Sequence, residues 1–322
     1  MDTKNRKVLC FDDIVAYTKT FIAVLNIDIN LLQVFENFVI TNWIIVKKRR
    51  GRIRKGQENK YAFLNKDVPN GSIISIKYKN LLKGVNLSKK KKCDKCYEIC
   101  NCKKYFRNAL TIIILTENKP INIKISTNGK IQMTGCKSSA QAYISLWYIW
   151  GKLKNHPSTY TFKNEHDFLP QCNTPNKLTC VLIPAMRNID FSVGFKIDRR
   201  KFDNFINQHT QYNSLFETSF GYTGVNMKIQ ISQQDIDSQT IKLITYPEEQ
   251  TGLVIVKKIL YKEYISFANI VTKKKTNTFL IFHSGNVIMS GMSYHLMKST
   301  FDIFNNLVIN NRDKIEEKII TT

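Results

Sequence analysis

The sequence predicts an α+β fold of two pseudo-symmetric repeats, each an antiparallel sheet with helices on one face. Three observations carry that prediction. FHSGNVIMSG (Phe282 to Gly291) restates STNGKIQMTG (Ser126 to Gly135) at a spacing of 156 residues, with Gly129/Gly285, Met133/Met289 and Gly135/Gly291 identical. Upstream, in the same order, FIAVLNIDINLLQVF (Phe21 to Phe35) pairs with FSVGFKIDRRKFDNF (Phe191 to Phe205) at a spacing of 170, through Phe21/Phe191, Ile27/Ile197, Asp28/Asp198 and Phe35/Phe205. Two matches in preserved order are what a duplication leaves when the intervening loops grow by different amounts. Third, INIKIS alternates, so Ile121, Ile123 and Ile125 share one face and Asn122, Lys124 and Ser126 the other, giving a sheet with one core face and one polar face.

Each element follows from local pattern. Residues 20–27 are apolar and partly β-branched, as a strand requires, and Asp28 is the expected N-cap of a helix from Asn30 to Phe38 whose Leu31, Val34, Phe35 and Phe38 share a face. LTIIILT (Leu110 to Thr116) and INIKIS flank the turn signal Glu117-Asn118-Lys119-Pro120, and Thr127-Asn128-Gly129 turns into a strand over Lys130 to Thr134. A helix closes each unit: Ser138 to Leu153 in the first, and in the second a segment whose Met297, Phe301, Phe304 and Val308 fall at helical spacing. The expected organisation is an N-terminal extension (1–17), repeat one (18–153) with a basic, Cys-rich insertion (43–107), a linker (154–184), repeat two (185–309) with an insertion (231–276) that reads as an extra hairpin, and a charged tail (310–322).

With 322 residues, 43% of them apolar, the chain builds a proper core. Acids follow the first short apolar stretch, and no run approaches the roughly 18 apolar residues of a membrane span. No signal peptide and no membrane partner are expected, and the protein is placed inside a cell. Eight scattered cysteines then read as free thiols or metal ligands. The net charge of +24 predicts attraction to polyanions, of which nucleic acid is the commonest. Residues 47–107 hold 20 Lys and Arg against four acids, so +16 of that charge lies there.

TNGKIQMTGCKS (Thr127 to Ser138) and FLIFHSGNVIMSG (Phe279 to Gly291) resemble the strand-turn-strand of the TATA-binding protein family, approximately LIFxSGKxxxTGAKS in each half. NIDFSVGFKI (Asn188 to Ile197) similarly resembles the strand that opens that family's second half. The resemblance covers Thr18 to Asn42, Ala109 to Leu153, Ala185 to Ile231 and Thr276 to Ile309. It implies a saddle: a curved antiparallel sheet with helices on the convex face and a concave face lying in a widened minor groove. Readers of that groove need apolar and small polar residues on a broad strand surface and use apolar wedges to unstack base steps.

Carried over position by position, the resemblance implies a mixed site. Phe282 stands at a wedge position, with a place in the helix-packed core as the competing reading; its companion falls between Leu215 and Tyr222, where Phe216, Phe220 and Tyr222 compete. In repeat one Ser126 matches Phe282 and the other wedge position falls on Ala109, with Phe106 nearby, so the first half lacks wedges. Asn188 matches one of the family's central asparagine pair and Thr18 stands for the other. Thr134 and Ser290 keep groove-facing hydroxyls, Ile288 keeps an apolar contact where repeat one has Gln132, and Lys130 fits a phosphate contact with Lys228 as its counterpart. These departures leave the kink and a strict TATA preference open.

The basic insertion adds two features outside the family pattern. Lys47, Lys48, Arg49, Arg50, Arg52 and Arg54 in KKRRGRIRKG suit a phosphate-binding loop or a nuclear-import signal, with a solvated loop as the alternative. Cys93, Cys96, Cys100 and Cys102 are a candidate structural zinc site, zinc favouring four thiolates, although the spacing is tight and reduced surface cysteines are the alternative. No other cofactor is expected. The chain has no Gly-rich phosphate loop ending in Lys-Ser/Thr, no G-x-S-x-G and no H-E-x-x-H, and its five histidines do not pair at ligand spacing, so no enzyme is expected.

The expected function is a monomeric TATA-binding-protein-like transcription initiation factor of a large DNA virus. It would bind AT-rich double-stranded DNA and recruit general transcription factors or RNA polymerase subunits, in the host nucleus or a cytoplasmic viral replication site. The rivals are a scaffold of the same fold that has lost DNA binding and the accessory domain of a DNA-repair enzyme.

Overall fold

A computed structural model describes residues 10–43, 68–85, 108–117, 119–164, 168, 177–216, 224–248, 253–270 and 274–318. They fall into two compact units: Thr20–Ile183 with Lys242–Lys257, and the chain through Lys19 with Pro184–Ile241 and the residues from Lys258 on. The α+β class and the two repeats expected from the sequence are present. Among the described residues no helix is long and apolar enough to cross a membrane.

The first repeat runs β1 (Ala16–Leu25), β2 (Ile27–Ile29), α1 (Leu31–Asn37), β3 (Ile73–Tyr78), β4 (Leu81–Gly84), β5 (Ala109–Thr116), β6 (Lys119–Ser126), β7 (Lys130–Cys136), α2 (Ser139–Lys154) and β8 (Tyr160–Phe162). Its sheet order is β1-β7-β6-β5-β3-β4. The period-2 pattern places Leu110, Ile112 and Ile114 of β5, Ile121, Ile123 and Ile125 of β6, and Ile131 and Met133 of β7 under the helices, all fully buried. Against them pack Val34 and Phe35 of α1 and Ala142, Leu146, Ile149 and Trp150 of α2.

In the second repeat come β9 (Thr179–Ser192), α3 (Arg199–His209), β10 (Asn213–Leu215) and β11 (Gly224–Gln230). Next are α4 (Gln233–Ser238), β12 (Thr240–Thr245), β13 (Ile255–Leu260) and α5 (Tyr261–Phe267), then β14 (Thr276–Phe282), β15 (Asn286–Gly291), α6 (Tyr294–Asn310) and α7 (Arg312–Ile315). The order β9-β15-β14-β11-β10 repeats the first repeat's β1-β7-β6-β5-β3 strand for strand. Met297, Phe301, Phe304 and Val308 line one face of α6 as their spacing predicts, and Phe304 stacks on Phe279 with ring centroids 4.4 Å apart.

The matched segments are joined by hydrogen bonds in each repeat. Leu25 N donates to Gly129 O (3.0 Å) and Ile29 N to Thr127 O (2.7 Å); in repeat two Val193 N donates to Gly285 O and Ile197 N to His283 O (3.0 Å each). Those partners differ by 168 residues, not 170, so the sequence match is slipped by two. The helix caps agree. Asn30, not Asp28, caps α1, accepting from Gln33 N at 3.2 Å, just as Asp198 caps α3 by accepting from Arg200 N and Lys201 N at 3.1 Å. Asp28 lies inside β2, where pairing of Ile27 and Ile29 with Phe162 and Tyr160 keeps the backbone extended and delays the helix.

Two stretches read from sequence as insertions contribute to the sheet. Ile73–Tyr78, within 43–107, pairs with β5 and buries Ile73, Ile74 and Ile76, the place that β10 takes in repeat two. Thr245 to Lys242 of β12 pair with Thr179 to Leu182 of β9, and the buried Tyr246 donates to Tyr143 O (2.9 Å) while stacking on Trp147 at 5.5 Å. The expected linker ends in β9, whose last residues belong to repeat two.

Gly285 has φ +83°, and a Cβ there would strike the Phe195 carbonyl oxygen, whereas Gly194, at φ +85°, has open space around it. Gly285→Ala is therefore expected to cost about 2 kcal/mol or more and Gly194→Ala about 1 kcal/mol. Thermal unfolding of the two variants checks this ordering, and equal Tm values would refute it.

Candidate nucleic-acid interface

The sheet face opposite the helices in repeat two is built by alternation from β9, β15, β14 and β11. Cross-strand register arranges it in rows. Asn188, Ser290, Thr278 and Lys228 form one; Asp190, Ile288, Leu280, Asn226 and Leu215 the next; Ser192 faces Asn286 and Phe282 faces Gly224 in the third. Ile288, Leu280 and Phe282 are half-buried and Leu215 is exposed, so an apolar strip crosses this face between polar rows. A cleft of about 450 Å³ lies at its end, lined by Phe282, Ile288, Asn286, Ser284 and Asp190 among others. The amide oxygens of Asn188 and Asn226 are buried without a hydrogen-bond partner among the described residues.

Repeat one uses the same frame differently. Its rows are Thr134, Asn122, Ile113 and Ser75; then Gln132, Lys124, Thr111 and Lys77; then Ser126 beside Ala109. Lys124 and Lys77 occupy the row where repeat two has Leu280 and Leu215. The matched position of Phe282 is Ser126, paired with Ala109 as Phe282 is with Gly224.

The residues singled out in the sequence distribute as follows. Phe282 alternates with the buried Phe279 and Ile281 and so projects from the helix-free face, and Asn188, Ser290, Ile288 and Lys228 share that face. Thr134 lies on the corresponding face of repeat one, and Lys130 is exposed beside the turn. The 168-residue relation makes Thr20 the counterpart of Asn188; Thr18, two residues earlier, keeps the same face because strand side chains repeat every second residue. Phe216 instead packs against the core of its unit beneath the Arg199 guanidinium, 5.0 Å from its ring centre. Phe220, Tyr222, the loop of Lys47, Lys48, Arg49, Arg50, Arg52 and Arg54, and the cluster Cys93, Cys96, Cys100 and Cys102 lie outside the described residues.

Sequence reading missed Leu280, Asn226 and Asp190, and in repeat one Lys124 and Lys77, as members of these rows. Alternation assigns each to the helix-free face, but only register shows which of them are neighbours. His283, next to Phe282, holds Glu317 at 2.9 Å.

No protein-family model matches the chain. It is 27% identical over 213 residues to uncharacterized protein 335L of Invertebrate iridescent virus 6, a match spanning 62% of this chain and 59% of that one. It is also 27% identical over 164 residues to a TATA-box-binding protein-like protein of Acanthamoeba polyphaga mimivirus, spanning 48% of this chain and 43% of the relative. The chain thus spans about half the length of the curated relatives it matches. Among solved structures, the Methanococcus jannaschii TBP is similar with a TM-score of 0.45 and 11% identity, over 92% of this chain and 98% of that one.

At the foot of β14, Lys275 Nζ lies 2.7 Å from Tyr261 Oη, 3.9 Å above the Tyr261 ring centre and 3.2 Å from Met292 Sδ. Burial pushes its ammonium pKa down to about 8 from the ordinary 10.5. The unfolded chain therefore binds more protons between pH 8 and 10.5, and this group adds stability as pH rises through that window. The Tm difference between wild type and Lys275→Met should move in the wild type's favour from pH 8 to 10.5, and a flat difference would refute the shift.

Proposed function

We propose that the chain is a TATA-binding-protein-like, DNA-binding factor of transcription initiation, using the helix-free face of its second repeat in the minor groove of AT-rich duplex DNA. The observation that carries this reading is Phe282 on that face, set beside Ile288 and Leu280 and rimmed by Asn188, Ser290 and Lys228. The minor groove offers few distinguishing polar groups, so a reader of it needs apolar and small polar contact, and an aromatic ring at the strand end is positioned to unstack a base step. Similarity to the mimivirus TATA-box-binding protein-like protein supports the same reading.

In this proposal Lys130, Lys228 and the basic loop from Lys47 to Arg54 meet phosphates, and the helices α2 and α6 face general transcription factors or polymerase subunits. The protein acts without catalysis of its own, as a monomer, at a viral transcription site in nucleus or cytoplasm. Zinc on Cys93, Cys96, Cys100 and Cys102 belongs to the proposal too. Metal content of protein purified without added zinc should be near stoichiometric, and a value near zero removes it.

A second reading, a scaffold that no longer binds DNA, is favoured by Ser126 in place of a wedge and by Lys124 and Lys77 in place of apolar contacts in repeat one. Gel shifts on AT-rich and scrambled duplexes across a salt series separate the two. The proposal expects log affinity to fall linearly with log salt. Phe282→Ala should lose about tenfold in affinity with an unchanged salt slope, since it removes stacking and no charge. Equal binding by both proteins removes the wedge role, and no binding at any salt favours the scaffold.

A further inference from the structure

Resting on the reading that the second repeat's helix-free face meets the minor groove, we infer that Asp190 makes this face select a G·C pair within a few steps of the wedged one. Asp190 is exposed on β9, the first strand of that face, its Cα paired with Ile288, and it lines the same cleft as Phe282. Among the described residues its carboxylate has no ion-pair or hydrogen-bond partner, and the corresponding rows of repeat one carry no acid.

A carboxylate only accepts hydrogen bonds. The floor of the minor groove presents acceptors at every base pair and one kind of donor, the exocyclic amine of guanine. Over an A·T pair, Asp190 opposes acceptor with acceptor and adds charge repulsion; over guanine it gains a charge-assisted hydrogen bond. Asn188, two residues before Asp190, and Asn226, three strands away in the same row, carry both a donor and an acceptor, and their amide oxygens stand unpartnered among the described residues. Asp190 is the acid in these rows and offers acceptors alone. Its strand lies two places from that of Phe282, about 10 Å across the sheet, and its row two residues away, about 7 Å along the strand, so the selected pair falls within about four base steps of the wedge.

The test uses the full chain and short duplexes of A·T pairs carrying one G·C pair, moved along the site, each compared with inosine·C at the same place. Inosine lacks the minor-groove amine and otherwise keeps the shape of guanine. Wild type should bind G·C about tenfold tighter than inosine·C at one or two adjoining positions. Asp190→Ala should erase that difference, and Asp190→Asn should raise affinity for the all-A·T duplex. Equal binding of G·C and inosine·C at every position, or discrimination that survives in Asp190→Ala, overturns the inference while leaving DNA binding intact. A uniform gain on all duplexes with no amine effect overturns it as well, making Asp190 merely repulsive. Wild type that binds no duplex overturns the reading of the face and the inference together. Asp190 is exposed, so melting curves of both variants should match wild type.

Discussion

Each repeat depends on one backbone contact: the turn of its last hairpin presses against the segment that leaves its first strand. Carbonyls of Thr127 and Gly129 accept from Ile29 and Leu25, and those of His283 and Gly285 accept from Ile197 and Val193. The approach is close enough that a Cβ on Gly129 or Gly285 would strike the carbonyl oxygen of Ile27 or Phe195. This clamp ties the first strand of each repeat to its closing hairpin. It fixes where the helix cap falls, at Asn30 or Asp198, and brings the first strand beside the last, which builds the rows on the helix-free face.

The two repeats share a frame and differ on the surface it carries. Under the helices, Ile131 matches Val287 and Met133 matches Met289, all without exposure, because every methylene there is in contact and a change of volume costs stability. On the other face a substitution leaves packing nearly untouched. That freedom is where Ser126 and Phe282, Gln132 and Ile288, and Lys124 and Leu280 part company. The helix-free face is in consequence polar and basic in the first repeat and more apolar and aromatic in the second.

Insertions were absorbed by the same economy of burial. Tyr246 reaches the core of the first unit from a segment of repeat two, satisfies its hydroxyl on Tyr143 O and stacks on Trp147. Ile73, Ile74 and Ile76 in β3 bury fully against β5 although basic sequence surrounds them.

The sequence by itself determined the class, the duplication and the two faces of each sheet. Alternation in INIKIS, helical spacing of Met297, Phe301, Phe304 and Val308, and the matched glycines are local properties that need no partner to be read. It also put Phe282, Ile288 and Ser290 on one strand pair, leaving the choice between core and surface for Phe282 open. Only the tertiary structure decided register. A strand's pattern repeats every two residues, so the match of Ile27-Asp28 to Ile197-Asp198 reads as well as the true pairing of Ile29-Asn30 with Ile197-Asp198, and only long-range hydrogen bonds distinguish them. For the same reason Asp190 is, in sequence, one acid among 25, and only cross-strand pairing makes it the neighbour of Ile288 and sets it in a cleft with Phe282.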